Sequence, residues 1–77
     1  MAKHAVLAPR MRRAVDLAYS VEGVVAVRVW QRGPSVAVGV RGGPYAARTD
    51  LVWRVEAAIA GLREPGETWD FGLLEEP

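Results

Sequence analysis

The sequence contains no cysteine and only one histidine, His4. Without cysteine no disulfide can stabilise the chain, and one imidazole does not form a zinc site, which needs several His, Cys or carboxylate ligands held together. A nucleophilic triad needs a base next to its hydroxyl, and the serines and threonines have no second histidine to provide one. We therefore predict no catalytic residue, no cofactor and no metal site.

Long apolar runs are also missing. No stretch approaches the ~18 consecutive apolar residues that a membrane-spanning helix needs. The first residues, MAKHAVLAPRMRR, have a short apolar patch followed by arginines, which is not the order of a signal peptide. We expect no membrane insertion and a cytoplasmic location.

Lysine is scarce as well, since all cationic residues except Lys3 are arginines. This bias is typical of GC-rich genomes and of heat-adapted proteins, and it does not indicate a task. The net charge is only +1, and 51% of the residues are hydrophobic, as in a globular domain. Arginines predominate before residue 50, and acidic residues crowd the end. Because the total is near neutral, we expect protein rather than nucleic acid as the partner.

The length of 77 residues allows one domain. A chain of this size buries only about 60% of its unfolded surface and usually needs disulfides, a metal or a partner subunit. Since the first two are excluded, we predict a homodimer or a higher homo-oligomer.

Two segments have the apolar spacing of amphipathic helices. The first is predicted over residues 9–21, with Pro9 in its first turn and Gly23 after its end. The second is predicted over residues 44–62 and begins with Pro44. The apolar stripes consist of Met11, Ala14, Val15, Ala18 and Val21 in the first helix and of Leu51, Val52, Val55, Ala58, Ile59 and Leu62 in the second.

Alternating valines on both sides of Gly33-Pro34 predict a β-hairpin. The valines expected to share one buried face are Val25, Val27 and Val29 in the first strand and Val36, Val38 and Val40 in the second. A third strand, with Trp69, Phe71 and Leu73 on one face, is expected to return beside the first strand through a right-handed crossover.

These elements predict an α+β two-layer sandwich of ferredoxin-like type. Its element order is α-β-β-α-β, and both helices lie on one face of a three-stranded sheet. The domain spans residues 9–74, between a leader (1–8) and an acidic tail (75–77). In the leader, Ala5, Val6 and Leu7 either form a further short strand or pack against the domain.

The other face of the predicted sheet carries small residues and invites a partner. Trp53 lies about 160° around its helix from Val55, so its indole should face away from the sheet. Tryptophan is frequent among interface hot spots, and we expect Trp53, with Trp30 on the outer face of the sheet, to anchor a subunit contact. Alternatively, the Trp53 ring folds over neighbouring Arg or Ala side chains or is covered by the leader. The predicted interface residues are Trp53, Trp30, Arg28, Ala37 and Gly39.

We therefore predict a non-catalytic homo-oligomeric interaction or scaffolding domain. One alternative is a small RNA-binding module that uses the arginine-rich first half, although no GxxG clamp is present. A basic sheet face favours that alternative, and an apolar face favours assembly. A further alternative is an enzyme whose site is completed by a partner.

The segments VEGVVAVRVWQRGPSVAVGV and TDLVWRVEAAI resemble the cytoplasmic C-terminal domain of cation diffusion facilitator transporters. The matching features are Gly23-Val24, Gly33 and the run 55–59, within a similarity over roughly residues 10–74. The chain also looks similar to the alkaline-shock protein family. The first resemblance implies a ferredoxin-like domain that dimerises; in that family the domain often binds metal through His and Asp side chains.

Overall fold

The computed structural model describes residues 8–44 and 48–74. It consists of two helices and a three-stranded mixed sheet in the predicted order α-β-β-α-β. The elements are α1 (Pro9–Tyr19), β1 (Val24–Arg32), β2 (Ser35–Gly42), α2 (Arg48–Ile59), a 3₁₀ turn (Ala60–Leu62) that continues α2, and β3 (Thr68–Leu73).

Helix α1 begins where the sequence predicts and ends slightly earlier. Pro9 opens it, at a position where the missing N–H needs no partner. Met11, Ala14 and Ala18 are buried along one side. The helix ends at Tyr19 rather than at residue 21, and Gly23, with a φ of 99°, adopts the left-handed conformation before β1.

The predicted hairpin is present. β1 and β2 pair antiparallel, starting with Arg32 opposite Ser35. Gly33, with a φ of 58°, and Pro34 form the turn between them. Glycine is favoured there because other side chains resist a positive φ.

The valine pattern of β1 departs from the prediction at one position. Val27 and Val29 pack against the core, but Val25 is 54% exposed. A bulge between Val24 and Ala26 shifts the register, so Val24 takes the inward position instead. The prediction of a buried Val25 is therefore wrong.

The predicted position of the third strand is also wrong. β3 lies beside β2, not beside β1, and pairs with β2 in parallel, with Phe71 opposite Val38. The hairpin occupies only one edge of β2, and α2, which packs over β2 and β3, leads the chain to the other edge. β2 is therefore the central strand, and no described strand pairs with the outer edge of β1 or of β3.

The core lies between the helices and one face of the sheet, as the alternation of β2 predicts. Both helices contribute one apolar side, and the predicted stripe of α2 is confirmed by the burial of Leu51, Val55 and Ile59. The remaining buried apolar residues are Met11, Ala14, Ala18, Val36, Val38, Val40 and Trp69. Helix α2 is described from Arg48, while Pro44 lies in a turn and residues 45–47 lie outside the described part.

Residues 1–7 and the tail 75–77 also lie outside the described residues, including the strand considered at Ala5–Leu7. Within residues 8–44 and 48–74, neither helix is long and apolar enough to cross a membrane.

Candidate interaction surfaces

The face of the sheet opposite the helices, here called the open face, is formed by alternate residues of the three strands. Because Val27, Val38 and Phe71 point to the core, their chain neighbours point to the other side. No described helix or strand covers this face. Its residues are Ala26, Arg28, Trp30, Arg32, Ser35, Ala37, Gly39, Arg41, Thr68, Asp70 and Gly72, with Leu74 directly after β3.

Four of the five predicted interface residues lie together on the open face. Trp30 is opposite Ala37, and Arg28 is opposite Gly39. A Cβ built on Gly39 would lie 2.6 Å from Cδ2 of Leu74 and 3.3 Å from Cζ3 of Trp30. The two side chains therefore approach the central strand from both sides, and the indole of Trp30 remains 50% exposed.

Positive charge predominates on the open face. Arg28 and Arg32 are exposed, and neither forms an ion pair with a described residue. Arg41 adds a third, partly buried cation, and Asp70 is the one acidic residue among the described residues of this face. The other described acidic residues lie on the helices or in loops and are Asp16, Glu22, Asp50, Glu56, Glu64 and Glu67.

The fifth predicted interface residue, Trp53, lies on a different surface. It is 74% exposed on α2, whereas Leu51 and Val55 of the same helix are buried. The predicted orientation of Trp53 is therefore confirmed. Because the helices and the open face are on opposite sides of the sheet, Trp53 and Trp30 do not form one continuous surface within a single copy.

The outer edge of β3 presents backbone groups that bond to no described strand. The amide of Thr68 donates to the Pro34 carbonyl, and the amide of Leu74 donates to the Val40 carbonyl, at 3.0 and 2.8 Å. In a parallel ladder every second residue bonds to the same neighbour, so the residues between them alternate. Trp69, Phe71 and Leu73 consequently direct their backbone N–H and C=O groups away from β2.

A groove of about 50 Å³ runs between this edge and α2. Its walls are formed by Glu56, Ile59, Ala60 and Arg63 on the helical side and by Trp69 and Phe71 on the sheet. The rings of Trp69 and Phe71 stack with their centroids 6.1 Å apart. At about 100° per residue, Trp53, Glu56 and Ala60 share one side of the helix. The exposed indole therefore lies on the same stripe of α2 as the groove wall.

A compact ion pair connects α1 to the loop before β3. The Arg10 guanidinium donates to both carboxylate oxygens of Glu67 and, at 2.7 Å, to the Leu62 carbonyl. Glu67 also accepts hydrogen bonds from Trp69 Nε1 at 2.9 Å and from the Glu64 amide at 3.0 Å. These donors, first Arg10 and then Trp69, lower the pKa of Glu67 to about 2. The cluster is satisfied internally, so we regard it as structural.

The potential metal-ligating side chains in the described part of the chain are dispersed. No group of three or more His, Cys, Asp or Glu side chains there is placed to hold a metal ion. Among those residues, no buried side-chain nitrogen or oxygen atom lacks a hydrogen-bond partner. No family model, curated protein or solved structure matches the chain.

Sequence reasoning did not find the groove or the edge. Glu56, Arg63 and Phe71 acquire their position there only because β3 lies at the edge of the sheet, and the predicted strand order was different. Asp70 had a usable signal, since it alternates with inward-facing Trp69 and Phe71. Leu74 had none, because its contact with Gly39 depends on the pairing of β2 with β3.

Proposed function

We propose that this chain is a non-catalytic interaction domain that works as a homo-oligomer, in which two copies join their sheets along the outer edges of β3. The observation that supports it is the outer edge of β3, which pairs with no described strand and lies beside an apolar groove with opposite charges on its wall. A free edge is a template for another strand. A short domain without disulfides also gains stability from such a partner.

The backbone of β3 suits an antiparallel pair around Phe71. A two-fold axis normal to the sheet at this residue pairs Phe71 with its own copy and Trp69 with Leu73 of the second copy. Each of these residues directs its N–H and C=O groups outward, so every pair exchanges two hydrogen bonds. Asp70 then lies opposite Gly72 of the second copy, which keeps the two carboxylates apart. The result is a continuous six-stranded sheet with all helices on one face.

The side chains of α2 suit the same axis. Glu56 and Arg63 lie on the groove wall on either side of Ala60. In an antiparallel pair of α2 helices centred near Ala60, each Glu56 faces Arg63 of the second copy. An isologous interface requires such a self-complementary pattern. Trp53 lies on the same stripe, one turn beyond Glu56, and serves as the aromatic anchor predicted from the sequence.

A charge swap tests this contact most sharply. Glu56→Arg places two like charges together, as does Arg63→Glu, and each variant should be monomeric at concentrations where the unaltered chain is not. The double variant restores opposite charges and should restore the oligomer. Light scattering after size-exclusion chromatography measures the mass, with Asp16→Arg, an exposed change on α1, as the matched control.

Two outcomes contradict the proposal. The self-association itself is wrong if the unaltered chain remains monomeric at high micromolar concentration. The location at the β3 edge is wrong if the unaltered chain is oligomeric and both single charge reversals retain its mass.

The two exposed tryptophans provide a second test. Trp53→Ala should shift the chain towards monomer. Its melting temperature should become lower and less dependent on protein concentration, because binding of a second copy stabilises the fold. Trp30→Ala should retain the mass of the oligomer, since the open face lies outside this contact. The reverse result would assign the subunit contact to the open face.

Within this proposal the fold is a variant of the ferredoxin-like type. The described order α-β-β-α-β matches the β-α-β-β-α-β order of that motif from its first helix onward, and it differs in that β2 and β3 pair directly in parallel. The described residues contain no strand before α1.

A further inference from the structure

We propose that the open face binds single-stranded nucleic acid, with a base stacked on Trp30 and the flanking phosphates bound by Arg28 and Arg32. The inference does not depend on the pairing of β3 strands, because no described helix or strand covers the open face in a single copy or in the proposed pair. The near-neutral net charge led us to expect a protein partner instead of nucleic acid. The proposal differs from that expectation because positive charge is concentrated on the open face of the folded sheet.

The three residues are arranged as a stacking platform between two cations. Arg28, Trp30 and Arg32 are alternate residues of β1, so they share one face of the strand at intervals of about 7 Å. All three are exposed. Guanidinium groups beside an exposed aromatic ring are the usual combination for binding a single strand without reading its sequence.

The surroundings of Trp30 hold the indole in place and leave room for a ligand. One part of the ring lies against Gly39, where Leu74 closes the opposite side. The floor beside it is formed by Ala37 and, farther across the sheet, by Gly72. Small residues at these positions leave the exposed half of the ring accessible to a base. A ring held on one side and exposed on the other loses little entropy when a base stacks on it.

The position of Asp70 determines the path of the bound nucleic acid across the open face. Asp70 lies in the same row as Trp30, on the far side of Ala37, about 10 Å away across two strand spacings. A phosphate near this carboxylate would be repelled, whereas phosphates along β1 meet Arg28 and Arg32. The nucleic-acid backbone therefore runs parallel to β1 and does not cross towards β3.

The charge distribution favours a polyanion over an uncharged protein surface. Among the described residues of the open face, the exposed cations Arg28 and Arg32 outnumber the single carboxylate of Asp70. A contact that depends on so few phosphates is strongly sensitive to salt. We expect weak binding that is measurable at low ionic strength, with little preference among base sequences.

Binding of a short fluorescein-labelled oligouridylate, followed by fluorescence anisotropy at low and at physiological salt, tests the inference. The oligonucleotide should be just long enough to span one β1 strand, so that pairing of copies does not alter the result. Trp30→Ala should weaken binding about tenfold, and Trp30→Phe should retain most of it, because stacking needs only an aromatic face. Arg28→Ala should weaken binding and reduce the salt dependence by about one phosphate contact.

Arg12→Ala is the matched control, since Arg12 is an exposed arginine on α1, away from the open face. It should leave binding and its salt dependence unchanged. Circular dichroism of each variant shows whether the fold is retained, and the double variant Arg28→Ala/Arg32→Ala tests the face without altering Trp30 or Leu74, the side chains that lie against Gly39.

The inference is overturned if no binding occurs at low salt, or if the open-face variants bind as well as the Arg12→Ala control. It is also overturned if Trp30→Ala changes the mass of the oligomer while oligouridylate binding is unaffected. The open face would then be a contact between copies, and the nucleic acid would play no part in it.

Discussion

The two faces of the sheet are formed by the same three strands but differ in burial and in charge. Towards the helices, β2 presents Val36, Val38 and Val40, which are almost completely buried. Towards the open side the same strand presents Ala37 and Gly39, and its neighbours add arginines and a half-exposed indole. The difference shows that the two faces of one sheet need not contribute equally to the fold: one face forms the core, and among the described residues the other face remains largely exposed.

The largest expected effect is on the helical face. Leu51 is fully buried, and Leu51→Ala removes its apolar contacts and leaves a cavity, which should lower the free energy of unfolding by about 2–5 kcal/mol. Trp30→Ala, on the open face, should cost much less although it removes more atoms, because half of the indole is exposed in the folded chain. Urea denaturation of both variants measures the difference. Equal costs would mean that the open face is a second core.

The ion pair between α1 and the loop before β3 should make stability dependent on pH. Glu67 ionises with a pKa of about 2 in the folded chain, against an ordinary value of 4.5. Folding therefore favours its charged form, so this stabilisation is complete above about pH 4.5 and is lost as the pH falls towards 2. Thermal unfolding across this range should show the loss.

Glu67→Gln should remove this part of the pH dependence, because an amide does not titrate and cannot pair with the Arg10 charge. Glu64→Gln is the control, since the Glu64 side chain is 61% exposed and only one of its oxygens approaches Arg10, at 3.4 Å. If both variants retain the slope between pH 4.5 and 2, the stabilisation originates elsewhere.

The smallest expected effect compares two glycines of the open face. A Cβ at Gly39 would press against Leu74 and Trp30, so Gly39→Ala should destabilise the fold by about 1 kcal/mol as these side chains shift. A Cβ at Gly72 meets no atom within 4 Å, and Gly72→Ala should stabilise by about 0.5 kcal/mol because alanine loses less entropy in a strand. Chemical denaturation of the pair measures both, and a stabilising effect of Gly39→Ala would show that Leu74 does not pack on Gly39.

The sequence predicts the parts of this fold that depend on local periodicity. Apolar spacing identifies the buried side of α2, including Val55 and Ile59, and valine alternation identifies the inward residues of β2. Local patterns do not reveal the bulge that exposes Val25, because a bulge adds a residue without changing the composition.

Strand order depends on contacts between distant segments, and for that reason the position of β3 was predicted wrongly. The candidate surfaces follow the same division. Arg28, Trp30, Ala37 and Gly39 could be assigned to one face from alternation within the hairpin. The groove wall at Glu56 and Arg63 could not, because it exists only where α2 meets an edge strand.

Backbone hydrogen exchange in β3, followed residue by residue by NMR at several protein concentrations, tests the pairing of two sheets most directly. The amides of Asp70 and Gly72 bond to β2 and should be protected at every concentration, which provides an internal reference. The amides of Trp69, Phe71 and Leu73 point outward, and the account predicts that their protection rises with protein concentration as the edges pair. If the Phe71 amide exchanges at its unprotected rate even at high concentration, while Asp70 and Gly72 remain protected, the sheet does not continue into a second copy.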